Sequence, residues 1–271
     1  MPRAIELPDY KEPPVTEVAV SIQFARLEGL TAAHIGLYWT RIKDAFPNVT
    51  EQLLIAHIVE KPEAEHYPTF EMLLAQKPEL PRIWFTDKTG TALIQVQRDR
   101  FVYNWRRVKD SDKYIRFPAV KSQFLLRWRE FSGFLKEQML PSPQVDQCEL
   151  TYVNRIDEGE LWRSPAEWGK LFPSLTWKPK SNFLPEPENL RLHMRFSIPD
   201  VGGRMHVDIV PAMLPDSKTR IILFSLTVRG LPSGLTDEAV DSWYERAREW
   251  IVTGFADLVS KEADTLWQRQ R

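Results

Sequence analysis

The sequence predicts an α+β fold in which two strand–helix–antiparallel meander–helix units share one antiparallel sheet, with the helices on one face. Three observations carry this expectation. Strand-length segments of alternating apolar and polar residues recur on both sides of a Pro141-Ser142-Pro143 break. A long amphipathic segment closes each half. The chain of 271 residues is 43% hydrophobic and 27% charged, with ten Trp and fourteen Phe, enough to bury an aromatic core.

Residues 1–14 are rich in Pro and charge and read as an extended arm. From Val15 to Phe24 the chain alternates, with Thr16, Val18, Val20, Ile22 and Phe24 on one side and Glu17, Ser21 and Gln23 on the other. Ile35, Tyr38, Trp39, Ile42 and Phe46 then follow helical spacing until Pro47. Residues 49–68 read as a loop and 70–75 as a short strand. A meander follows over 83–86, 91–97 and 101–105, with turns at Asp87-Lys88-Thr89-Gly90 and Arg98-Asp99. In its last strand Phe101, Tyr103 and Trp105 share a face, expected to pack on Phe124, Trp128 and Phe131 of a helix starting at Pro118.

The order recurs after the break. Residues 148–157 predict a strand, and Ser164-Pro165-Ala166-Glu167 carries two helix-start signals together. Trp168, Leu171 and Phe172 pack that short helix, and Pro173 ends it. Strands are expected over 190–198, 204–210 and 220–229, with Gly202-Gly203 turning the first pair. One helix is expected from Thr236 through Leu266. The units are therefore 15–140 and 144–271, the second one strand short, and together one globular body. The layout resembles that of proteins built like the TATA-binding protein, with helix-grip folds as a competitor. Architecture of this kind carries no function.

Several stretches resemble a prokaryotic family of sporadically distributed proteins with no assigned activity. They are Pro13-Pro14-Val15-Thr16-Glu17 running into Phe24, Gln95 to Phe101 followed by Asn104-Trp105-Arg106, Phe117-Pro118 leading to Phe124, Trp128 and Phe131, and Glu149-Leu150 with Tyr152-Val153-Asn154-Arg155-Ile156. The resemblance implies a compact intracellular protein and brings no catalytic residues with it.

The formal charge of −1, from 36 basic and 37 acidic residues, argues against a dedicated duplex-DNA binder. One cysteine, Cys148, excludes an internal disulfide and reads as a buried inert thiol in a reducing compartment. No signal segment or membrane-length apolar run is visible, so the expected location is the cytoplasm. No phosphate loop, Gly-flanked nucleophilic Ser or cofactor motif occurs, so no catalytic residue and no cofactor is assigned.

Three constellations bear on function. His193, His206 and Asp208 have the residue types of a two-His-one-carboxylate metal site, but the same spacing fits a polar strand face on which Arg195 pairs with Asp208, so no metal is assigned. Asn104, Arg106, Asn154 and Arg155 suggest a polar site on the sheet; the structural alternative places Asn104 and Asn154 equivalently in the two halves, satisfying backbone groups at strand ends. Alternation places Arg155, Arg191, His193, Arg195, Arg204, His206, Asp208 and Arg229 on the sheet face away from the helices. Such a basic cluster points to a non-catalytic binding or regulatory protein that holds an anionic partner: an acidic protein segment, a nucleotide-like ligand or single-stranded nucleic acid. The alternatives are a nucleic-acid-binding protein proper and an enzyme with a dispersed site. Residues 157–160 or 185–188 would close the patch internally if their acids fold over it.

Overall fold

The computed structural model describes residues 6–59, 80–181, 183–234 and 236–271. The strand expected over 70–75 and His66 lie outside these residues. The described strands are β1 (Val15–Phe24), β2 (Asn48–Gln52), β3 (Arg82–Thr86), β4 (Ala92–Gln97), β5 (Arg100–Arg106), β6 (Val145–Asp157), β7 (Leu192–Ile198), β8 (Gly203–Met213) and β9 (Arg220–Gly230). They form one sheet in the order β2-β3-β4-β5-β1-β6-β9-β8-β7, and each neighbouring pair is antiparallel.

The period-two pattern gives the sheet an apolar face. Val20 on β1 lies opposite Tyr103 on β5 and Leu150 on β6, and Leu150 lies opposite Val228 on β9. The α-helices α1 (Ala32–Ile42), α2 (Phe117–Glu137) and α3 (Asp237–Leu258) cover that face, and the short α4 (Lys261–Leu266) follows α3. Tyr38 of α1 meets Phe85 of β3 and Phe131 of α2, with ring centroids 5.9 and 5.2 Å apart. Phe101 of β5 stacks on Phe131 at 5.1 Å, and Phe255 of α3 stacks on Phe224 of β9 at 5.5 Å. Where the two long helices meet, Phe124 packs edge-on to Tyr244, and Lys121 is held between Asp241 and Glu245 at 2.7 and 2.6 Å. Each buried ring removes large apolar area from water, so this layer supplies most of the driving force for folding.

Several local expectations are corrected. Residues 48–52 form the edge strand β2 instead of a loop, because Asn48 to Gln52 pair fully with β3. The segment Pro165–Lys170 is a 3-10 helix that buries Trp168. The last helix breaks at Val259 and restarts at Lys261, where the Ser260 side chain caps the new N-terminus by accepting from the Ala263 N–H at 3.2 Å. The β7–β8 connection is a 3-10 turn, Pro199–Val201, ended by Gly202 in the left-handed region at φ 61°. Trp105 is buried as expected, but its described ring partner is Tyr114 at 5.1 Å.

The arm is tied to the opposite terminus. Asp9, Lys11 and Glu12 donate backbone bonds to Arg271, Gln268 and Trp267, and the Tyr10 hydroxyl donates to Asp264 at 2.7 Å. No helix among the described residues is long and apolar enough to cross a membrane.

Candidate functional site

The second face of the sheet carries no described helix and is mostly polar, with Leu93, Val102, Ala19 and Val153 set among its polar side chains. One level reads Gln95, Val102, Ser21, Glu149, Arg229, Arg204 and Ser197 from β4 to β7. The next reads Leu93, Asn104, Ala19, Thr151, Thr227, His206 and Arg195. A third runs Arg106, Glu17, Val153, Ser225, Asp208 and His193. On the second level small side chains occupy the middle, where Thr151 Oγ1 and Thr227 Oγ1 are hydrogen-bonded at 2.9 Å, and larger polar groups stand on either wing.

The first wing is a continuous chain of hydrogen bonds. Arg82 Nη1 and Trp84 Nε1 both donate to Gln95 Oε1, at 2.8 and 2.9 Å. Gln95 Nε2 donates to Asn104 Oδ1 at 2.7 Å, and Asn104 Nδ2 donates to Glu17 Oε1. Burial holds the Glu17 carboxyl above the usual carboxylate range, against the Asn104 bond and the Arg106 charge, which favour ionisation. Both Arg82 and Arg106 lie over the Trp84 ring, 5.4 and 5.2 Å from its centroid. Each member orients the next, so this wing is a structural network around Trp84.

Beside it, the backbone of residues 55–58 crosses the polar face on side-chain supports. Ile55 exchanges two bonds with the Gln97 amide, at 3.2 and 3.0 Å. Arg100 donates to the Ala56 carbonyl at 3.3 Å, and Gln23 and Gln147 both donate to that of Ile58, at 3.2 and 2.9 Å. His57 lies between Asp99 and Asp146, at 3.2 and 3.4 Å. Gln23, Gln97, Gln147 and Arg100 are all buried.

The second wing contains the basic residues expected from the sequence. Arg204 and Arg229 are directly opposite each other on β8 and β9, and Arg195 on β7 lies diagonal to Arg204, opposite His206. Arg229 is paired with Glu149, which Arg100 also approaches at 3.5 Å. Burial pulls the Arg100 pKa down and Glu149 counters it. Arg195 is exposed and no described group bonds it, whereas Arg204 and Arg229 are half-buried and His206 is buried.

Asp208 is taken by His193, with Nδ1 at 2.8 Å from Oδ1, because the register puts His193 and not Arg195 opposite it. The rings of His193 and His206 are 5.5 Å apart. Among the described residues no three His, Cys, Asp or Glu side chains gather as a metal site would require.

Arg191 precedes β7 and is exposed. Arg155 is on the polar face but opposite Leu223, six residues from Arg229 along β9, or roughly 20 Å at strand rise. Asp157 and Asp110 satisfy it at 2.9 and 3.3 Å. The cluster that the fold assembles is therefore Arg195, Arg204, His206 and Arg229, with His193 and Arg191 at the β7 edge. Of the acids expected to close it, Glu158 binds Arg220 and Glu186 accepts from Ser164.

Asn104 and Asn154 are not equivalent: Asn104 belongs to the polar network, whereas Asn154 is on the helix side and donates to the Phe224 carbonyl at 3.0 Å. Cys148 is fully buried, its thiol pushed up to about 12 by desolvation, and is no nucleophile. Sequence reasoning missed Glu149 and the glutamine supports. Strand alternation marks the glutamines as polar-face residues, but Glu149's position between Arg100 and Arg229 depends on pairing that only the fold reveals.

Compared with known proteins, the chain matches no family model and no curated protein.

Proposed function

We propose that this chain is a non-catalytic binding protein that holds an anionic partner at the β7–β9 wing of its polar face, and that its halves are copies of one unit. Outward from the central β1–β6 pair, the first half runs β5, β4, β3, β2 and the second runs β9, β8, β7, which supports the duplication and its likeness to proteins built like the TATA-binding protein. The observation that carries the binding reading is Arg195, exposed on the outer strand β7 and diagonal to Arg204, with Arg191 exposed just before the same strand. Exposed guanidinium groups gathered at one sheet edge favour an anion that can bridge them.

Two features favour binding over catalysis. The carboxylate of this face with a raised pKa, Glu17, is enclosed in the first wing's own hydrogen bonds. Asp208 is engaged by His193.

The test is charge reversal at the exposed pair Arg191 and Arg195. A fluorescent oligoglutamate peptide and a single-stranded oligonucleotide are titrated into the protein at low and high salt. Oligoglutamate binding should weaken as salt rises and vanish in the Arg191→Glu/Arg195→Glu protein, with its melting temperature unchanged. Equal binding by the double variant would overturn the reading. Tight binding of the oligonucleotide alone would replace the acidic partner with nucleic acid.

A further inference from the structure

The two edges of the sheet are built differently. On the first, β2 is a five-residue strand, Asn-Val-Thr-Glu-Gln, exposed over Asn48 to Glu51. Short polar edges of this kind resist further pairing. The second edge, β7, is seven residues long, and its outer backbone groups pair with no described residue. Its side chains alternate strictly: Met194 and Phe196 point to the helix side, His193 and Arg195 to the polar side.

On the helix side a groove of about 520 Å³ runs along this edge, between α3 and the outer strands. Phe196, Met205, Trp250 and Leu258 supply its apolar walls, and Phe196 remains 38% exposed. Gly254 lets the helix approach, since a Cβ there would stand 3.0 Å from Met205 Cε. Glu249, Asp200 and Asp257 line the same groove. The edge thus presents main chain that no described residue pairs, an apolar trough with acidic residues on one side, and guanidinium and imidazole groups on the other.

We infer that β7 is completed by an added strand from a protein partner: an extended segment in which acidic residues alternate with apolar ones. Resting on the anionic-partner reading above, this specifies how the partner is held. A strand laid about 4.8 Å outside β7 sends alternate side chains to opposite faces. Its apolar set enters the groove, where acidic lining residues repel acids, while its acidic set reaches Arg195, His193 and Arg191. A second copy of this chain is a poor occupant. Antiparallel β7–β7 pairing in the central face-preserving registers sets Arg195 opposite Arg191, His193 or Arg195 of the copy, which supplies no carboxylate for it and in two of the three opposes guanidinium groups.

The test uses labelled peptides of about eight residues, the usual length of a strand, and the full chain in fluorescence anisotropy. One peptide alternates Glu and Val; a second has the same composition with the glutamates in one block; a third alternates Lys and Val. Two further Glu–Val peptides are N-methylated on one or the other alternate set of backbone amides, which blocks strand pairing on one edge only. The alternating acidic peptide should bind, the block and lysine peptides should bind at least about tenfold more weakly, and one methylated set should lose about tenfold while the other retains affinity. Phe196→Asp should weaken the parent peptide similarly without affecting oligoglutamate. If the alternating, block and both methylated peptides bind equally, strand addition is wrong, and the anionic-partner reading survives provided that Arg191→Glu/Arg195→Glu abolishes them all. If no acidic peptide binds, both readings fall together.

Discussion

Arg204 and Arg229 stand directly opposite each other across the β8–β9 pair, and the carboxylate that steadies Arg229 comes from Glu149 on its other flank. Glu149 also faces Arg100, whose side chain is only 5% exposed. One acid therefore serves two guanidinium groups at the centre of the sheet. Removing it leaves Arg100 buried with its main counter-charge gone, which is far costlier than losing an exposed ion pair. Glu149→Gln should destabilise the fold by about 3–5 kcal/mol in chemical denaturation. A loss below about 1 kcal/mol would place Arg100 in contact with water and weaken the account of this wing.

The aromatic strand makes a second prediction. Trp105 is 3% exposed and lies against Tyr114, outside the main stack of Phe101 with Phe131. Trp105→Ala should cost about 3–5 kcal/mol, and Phe101→Ala a similar amount, because both leave cavities in a packed layer. A melting temperature for the Trp105 variant within error of the parent would show that the ring is solvated.

How far these features were legible follows from the range over which each is determined. The alternation of Val18, Val20 and Ile22 against Glu17, Ser21 and Gln23 is local, so strand and face are readable directly. The Ser260 cap is also local: a serine followed by Lys261-Glu262-Ala263 marks a helix start, yet the apolar stripe running through it suggests one continuous helix. Pairing is different. Whether Asp208 meets Arg195 or His193 depends on a register set by the Pro199–Val201 turn, and a shift in that register changes the partner. Glu149 illustrates the same limit, since its partners are Arg100, 49 residues earlier, and Arg229, 80 residues later. The polar face was therefore visible as composition, and its charge pairs only as topology.

A pH dependence follows from Glu17. Its folded pKa is raised above the ordinary 4.5 by burial, so the folded state binds that proton more tightly than the unfolded chain does. The contribution to stability is then fully present below the ordinary value and is lost as pH rises through the raised one. Glu17→Gln removes the titration while keeping an oxygen that accepts from Asn104. The difference in melting temperature between the parent and the Glu17→Gln protein should therefore shift in the variant's favour as pH rises above about 4.5. A constant difference across that range would show that Glu17 titrates alike in both states.

The last prediction concerns the chain that crosses the polar face. Gln97 is 2% exposed and makes paired bonds with Ile55, accepting from its N–H and donating to its carbonyl, much as a neighbouring strand would. Gln23 and Gln147 converge on Ile58 three residues later, so the crossing is fixed at two points. Side-chain amides suit this task because each offers both a donor and an acceptor. Gln97→Ala should destabilise the protein by about 1–2 kcal/mol, the net value of two hydrogen bonds. Its local signature should be larger: amide exchange at Ile55 should accelerate strongly while that of β1 and β6 stays slow, since the crossing can open without unfolding the sheet. If exchange at Ile55 is unchanged, the Gln97 bonds do not hold the segment. If β1 accelerates equally, the crossing and the sheet unfold as one unit.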